Sequence, residues 1–181
     1  MLAIAALLAV AAPAPASADQ ADPRLDDLFR TLQGGELSFG EARGIETRIW
    51  GIWLETESAA AEVLLRDGMD AMRDFDLDRA EESFSALVAL SPDFAEGWNK
   101  RATIRYHVGD YQGSIADIKR TLSLEPRHFG AMAGLGLVYD ALGEPEPAVE
   151  AFERALELNP YMPGIAQRLD RMKQQLEDRR I

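Results

Sequence analysis

Three prolines set the frame of this chain. Pro92, Pro126 and Pro160 stand 34 residues apart, directly after the polar residues Ser91, Glu125 and Asn159. Sliding the sequence on itself by that period also superposes Leu90, Leu124 and Leu158, then Phe84, Ile118 and Phe152, then Ala80, Ser114 and Ala148. A fixed period of this size means that one supersecondary unit is copied. Each unit then packs only on its neighbours, and none buries its apolar face alone.

Within a unit the apolar residues recur at helical spacing, as in Leu64, Gly68 and Ala71, and after a break in Leu77, Ala80, Phe84, Leu87 and Val88. Each unit therefore reads as a helix, a turn and a second helix. The breaks hold start and stop signals: Asp76, the pair Gly109-Asp110, and Gly143-Glu144-Pro145. Asp caps a helix by accepting from its first N–H groups, and proline suits a first helical turn because its missing N–H has no intrahelical partner there.

These residues resemble the tetratricopeptide repeat family, whose unit runs Trp-x2-Leu-Gly-x2-Tyr and then Ala, Phe, Ala and Pro at fixed offsets. The second unit supplies Trp98, Ala102, Tyr111, Ser114, Ile118 and Pro126. The third supplies Leu135, Gly136, Tyr139, Gly143, Ala148, Phe152, Ala155 and Pro160. The first keeps Gly68, Ala80, Phe84 and Pro92 but has Phe75 where the turn glycine belongs. The resemblance covers about residues 61–160, and the segment Trp98-Asn99-Lys100-Arg101-Ala102-Thr103 is similar to bacterial secreted members. It implies an all-α fold, a right-handed α-solenoid of helix-turn-helix hairpins. Small residues at Gly68, Ala102 and Gly136 would let paired helices approach, and Phe84, Ile118 and Phe152 would fill the space between neighbours.

The flanks divide the remainder. Residues 1–18, MLAIAALLAVAAPAPASA, carry no charge and end in the small-x-small triplet Ala16-Ser17-Ala18, which reads as a signal peptide cleaved before Asp19. They hold no Lys or Arg, so either the amino terminus alone supplies the usual positive charge or the true start lies upstream. Residues 19–57 form an N-terminal tail and helical hairpin. Leu25, Leu28, Phe29 and Leu32 mark one helix, Gly34-Gly35 stops it, and Ser38-x-x-Glu41 opens the next as a capping box. The second helix carries Ile45, Ile49, Ile52 and Trp53. Residues 58–160 hold three repeats (about 61–94, 95–128 and 129–162), and residues 161–181 a capping helix with Ile165, Leu169, Met172 and Leu176 on one face.

Chemistry is scarce. The formal charge of −12 repels polyanions, which removes nucleic acid as a partner. No segment of the mature form reads as an integral membrane span. The chain has no Cys and only two His, so thiolate sites and most metal chemistry go as well. Asp74, Asp76 and Asp78 begin like a calcium loop, but Arg79 and Ser85 stand where such a loop needs its glycine and its final acid. They read instead as a turn and a cap. His107 and His128 lie at helix ends that neighbour one another, without a third ligand or a nucleophile, and read as partly exposed polar residues. No serine sits in a nucleophile elbow, Gly134 and Gly136 lie inside a helix, and Glu81-Glu82 falls on a solvated face. No enzyme, cofactor or metal site emerges.

What remains is a surface. The resemblance implies that the first helix of every hairpin lines a concave groove. The positions carried onto this chain are Glu62, Leu65, Arg66, Met69, Met72 and Arg73; then Glu96, Asn99, Lys100, Thr103, Tyr106 and His107; then Gly130, Ala133, Gly134, Leu137, Asp140 and Ala141. The carboxylate clamp by which members grip an acidic chaperone terminus is absent, since Leu65, Met69, Gly130 and Gly134 occupy its places. The groove presents an apolar strip of Leu65, Met69, Met72 and Leu137, a polar centre of Asn99, Thr103 and Tyr106, and cations at Arg66 and Lys100. These nine residues are the candidate peptide-binding set. Alternatively, some are packing or are covered by the N-terminal hairpin. On that hairpin, Trp53 follows the apolar stripe and Trp50 lies off it, which makes Trp50 the better anchor for a partner. The expected function is protein or peptide binding by a periplasmic or secreted module. The first alternative is a structural subunit that oligomerises or joins a complex through its flanking helices, and the second is an enzyme.

Overall fold

The computed structural model describes residues 22–178, which form helices and no strand. The helices are α1 (Pro23–Gly34), α2 (Phe39–Trp53), α3 (Ala59–Arg73), α4 (Leu77–Leu90), α5 (Ala95–Val108), α6 (Tyr111–Leu124), α7 (Phe129–Leu142), α8 (Pro145–Leu158) and α9 (Pro163–Asp178). Three hairpins, α3/α4, α5/α6 and α7/α8, stack as an all-α repeat solenoid, with α9 packed on the last. The expected signal segment, residues 1–18, lies outside the described residues.

The repeat works by pairing a small residue with a large one. A Cβ on Gly68 would stand 2.6 Å from the Phe84 ring, and one on Gly136 would stand 2.4 Å from Phe152. Both contacts lie far inside van der Waals distance, so only hydrogen fits there. In the middle hairpin the partners are Ala102 and Ile118, both buried in one cluster: the smaller aliphatic side chain goes with the larger facing residue. The aromatic rings thus fill space inside their own hairpin, against the glycine of its first helix, and also share a core with the next element, Phe84 with Ile104 of α5 and Phe152 with Leu169 and Met172 of α9.

The turns obey the same period with one exception. Gly109 and Gly143 take positive φ, 83° and 74°, and the residue one period earlier, Phe75, takes φ 59°. The hydrogen bonds are equivalent, Asp76 N to Ala71 O at 2.9 Å in the first hairpin and Glu144 N to Tyr139 O at 2.9 Å in the third. The turn after α3 therefore imposes a left-handed conformation on a bulky residue that disfavours it. Asp76 then caps α4 through the Arg79 N–H, and Asp110 caps α6 through the Gly113 N–H.

Helix α2 starts with the capping box read from the sequence: Ser38 Oγ accepts from Glu41 N, and the Glu41 carboxylate accepts from Ser38 N. The α1/α2 hairpin folds over the ends of the third repeat. Leu25, Leu28, Phe29, Leu32, Ile49, Ile52 and Trp53 share one core with Phe129, and Leu158, Tyr161 and Met162 pack against it. Polar bonds seal the seam. Tyr161 Oη donates to Gly35 O at 2.7 Å and accepts from Leu37 N at 2.9 Å, Gln33 donates to Glu157 O and Leu158 O, and Asn159 donates to Glu46. An ion pair of Arg127 with Asp26 at 2.6 Å closes the other side.

Candidate functional site

The first helices of the second and third hairpins, α5 and α7, begin beneath the N-terminal hairpin. There Glu96 and His128 are completely buried, and Asn99 is only 8% exposed. His128 Nδ1 accepts from Ala131 N at 3.0 Å as the cap of α7, so that nitrogen carries no proton. Its Nε2, in that tautomer, donates to Glu96 Oε2 at 2.9 Å. Asn99 Nδ2 donates to the same oxygen at 3.0 Å, and the Lys100 ammonium lies 2.8 Å from Glu96 Oε1. Burial alone raises a carboxyl pKa, but the Lys100 charge and the His128 bond outweigh it and hold Glu96 below its ordinary value of 4.5.

Two tryptophans roof this network. Trp53 stacks on His128 with ring centroids 4.1 Å apart, and Trp50 meets His128, Phe129 and Trp53 edge-on at 5.3–5.6 Å. Trp50 also covers Gly130, where a Cβ would come within 2.6 Å of its ring, and Lys100 lies over its face at 5.3 Å. The hairpin thus occupies the end of the first-helix face nearest the repeat junctions.

Beyond the cover the same face is open. A pocket of about 160 Å³ is lined by Asn99, Ala102, Thr103, Tyr106, His107, Ser114, Ile118, Gly130, Gly134 and Leu137. Ala102, Ile118 and Leu137 give it an apolar floor, and Asn99, Thr103, Tyr106 and His107 a polar rim. Gly134 matters through what it leaves out: a Cβ there would meet only Ile118 Cδ1, at 3.7 Å, so the space above it is empty.

Of the candidate set, Asn99, Thr103, Tyr106 and Leu137 come together in this pocket. Met72 lines a separate one, and Arg66 is exposed on α3. Leu65 is 6% exposed within the first hairpin's core, and Met69 packs against that core, so Leu65 supplies packing and not a ligand contact. Lys100 is taken up by Glu96 and Trp50. Asp140 accepts from Arg168 of α9 at 2.7 Å. Trp50, expected as a partner anchor, is half-buried and pins the hairpin instead. His128, expected at a partly exposed helix end, is at the centre of a buried network because the hairpin folds over it; His107 is exposed as expected. Glu81 is not merely solvated: it accepts from Arg105 at 3.2 Å, across the first and second repeats.

The Glu96–His128 contact is what sequence reasoning missed. Its one signal was that residues 32 apart, close to one period, fall on neighbouring repeat junctions. Among the described residues no three His, Asp or Glu side chains gather as metal donors, and no helix is long and apolar enough to cross a membrane.

Comparison with known proteins gives consistent matches. One tetratricopeptide repeat model matches residues 131–162 and another matches residues 65–119. A TPR repeat-containing protein of Rhizobium etli is 34% identical over 137 residues, 76% of this chain and 67% of that one. Small glutamine-rich tetratricopeptide repeat-containing protein 2 of Mycosarcoma maydis is 27% identical over 67% of this chain, which spans only 35% of that relative's length. Among solved structures, the first TPR of Spaghetti (RPAP3) bound to an HSP90 peptide superposes with a TM-score of 0.64 at 22% identity, over 67% of this chain and 96% of that one. MamA superposes with a TM-score of 0.63 at 24% identity, over 77% and 79%. At these identities the superpositions bear on the fold alone.

Proposed function

This chain belongs to the tetratricopeptide repeat family, and we propose from that premise that it is a non-catalytic module that binds a peptide or protein segment on its first-helix face, in the bacterial periplasm or envelope. The observation that carries the reading is the open pocket between α5 and α7. It is an apolar hole with hydrogen-bonding residues on its rim, and the RPAP3 repeat domain of the same fold is itself bound to an HSP90 peptide. An apolar side chain fills the floor, while Asn99, Thr103 and Tyr106 meet the backbone that carries it. Gripping an acidic chain terminus does not suit this face, because Lys100 is already neutralised by Glu96. The charge-free run of residues 1–18 supports export, and sequencing the mature chain from cells tests it, with Asp19 as the expected first residue.

Capture from an envelope extract tests the pocket. Gly134→Leu fills it without a backbone clash and improves helix propensity, so capture should vanish while thermal stability holds or rises. Leu137→Glu should act in the same direction. Undiminished capture by Gly134→Leu rejects the pocket as the binding site.

A second reading, a subunit that joins a complex through its flanks, is favoured by a larger cleft of about 450 Å³ between α2 and the start of α9, lined by Phe39, Arg43, Trp50, Met162 and Ile165 among others. Phe39 there is 57% exposed. Native mass measurement separates the readings, since a peptide binder runs as a monomer and an obligate subunit does not.

A further inference from the structure

Phe75 is unexplained by the fold. It stands where the other two repeats place glycine, holds a left-handed φ of 59°, and leaves its ring 87% exposed. Backbone strain and an exposed aromatic ring both oppose folding, and neither is returned as packing. Beside the ring lies a pocket of about 180 Å³, lined by Met72, Leu77, Ile104 and His107, with Phe75 on its rim. The ring and the hole together form an apolar patch at the turn edge of the first two repeats, away from the N-terminal hairpin.

The charge around the patch is predominantly negative. Asp74, Asp76 and Asp78 flank Phe75 and Leu77, all exposed, and none of the three is in an ion pair among the described residues. Arg73 pairs with Asp70 at 2.7 Å and Arg79 with Asp67, and Arg79 also feels the charges of Asp76 and Asp74, so two cations stand among five carboxylates. An apolar hole beside this excess of carboxylates complements a segment that is both apolar and cationic.

We propose that the Phe75 edge is an interaction surface for a partner segment carrying an apolar or aromatic side chain between Lys or Arg residues: the side chain enters the hole beside Phe75, and the cations meet Asp74 and Asp78. This surface holds whether or not the pocket between α5 and α7 binds a ligand, although His107 borders both.

The test uses the full chain and two fluorescein-labelled peptides of twelve residues, one with Leu-Phe at the centre of a Lys-rich sequence and one with Ser-Ser in that place. Anisotropy at about 0.15 M salt keeps unspecific attraction to an acidic protein low. The Leu-Phe peptide should bind and the Ser-Ser peptide should not. Phe75→Gly should weaken binding about tenfold, the size of an aromatic anchor's loss, while raising the melting temperature, so that the loss is not a loss of fold. Asp74→Asn with Asp78→Asn should flatten the salt dependence. Leu137→Glu should leave this binding unchanged, which separates the surface from the other pocket. The proposal is overturned if the Leu-Phe peptide does not bind, if the Ser-Ser peptide binds as well, or if Phe75→Gly retains full affinity.

Discussion

Trp53 lies flat on His128, 4.1 Å between centroids and 13° from parallel, and this contact joins α2 to the N-cap of α7, the first helix of the third repeat. Trp53→Ala should cost about 3–5 kcal/mol, the usual loss for a fully buried large aromatic. Amide exchange should show the loss concentrated in residues 23–53, with α3 to α6 still protected. Uniform loss of protection would show that the hairpin and the repeats unfold as one unit.

Glu96 makes stability depend on acid. Its carboxyl is held below the unfolded value, so its contribution is complete above the ordinary 4.5 and is lost as the pH falls below it through the folded value. Glu96→Gln keeps an acceptor for His128 but leaves Lys100 without its counter-charge. It should cost about 1–3 kcal/mol at neutral pH, and denaturant midpoints for the two proteins should converge on acidification. A constant gap across that range would assign the loss to packing and not to charge.

The glycines of this chain should answer substitution in opposite directions. Gly136→Ala drives a Cβ into Phe152 and should destabilise by about 1–3 kcal/mol. Gly44, in the middle of α2 with nothing near its missing Cβ, should gain about 0.5–1 kcal/mol on replacement by Ala. Thermal melts of the two variants check both signs.

Phe75→Gly should stabilise by about 0.5–1 kcal/mol, the left-handed strain relieved less the extra freedom of an unfolded glycine. Gly109→Phe is the reverse experiment in the next repeat and should destabilise by a similar amount. Urea unfolding of the two variants checks both.

The repeats were legible because their determinants are local and periodic: prolines every 34 residues, and a small residue opposite each large one. The capping box at Ser38 and the stripe of α9 were legible for the same reason, as each lies within a few residues of its partner. The groove was only half legible. Leu137, Thr103, Tyr106 and Asn99 do share a pocket, but Lys100 and Trp50 are taken up at the docked hairpin, and which positions it covers depends on where it docks. Tyr161 with Gly35 and Arg127 with Asp26 fix that docking across more than a hundred residues, and no spacing rule links them. Phe75 shows the opposite case: the departure from the pattern was plain in the sequence, and its left-handed backbone had to be seen.

Solenoids ordinarily assemble from near neighbours, so any repeat can form first and the rest can follow. The strap of bonds from α1 and α2 to residues 125–162 removes that freedom. The hairpin is made before the repeats yet has nothing to dock on until the third repeat exists, so its exposed leucines and tryptophans wait while that repeat is made. Once docked, it ties the helices that precede the repeats to the last of them and turns an open spring into a closed loop. A cut at either seam should then be felt at the other.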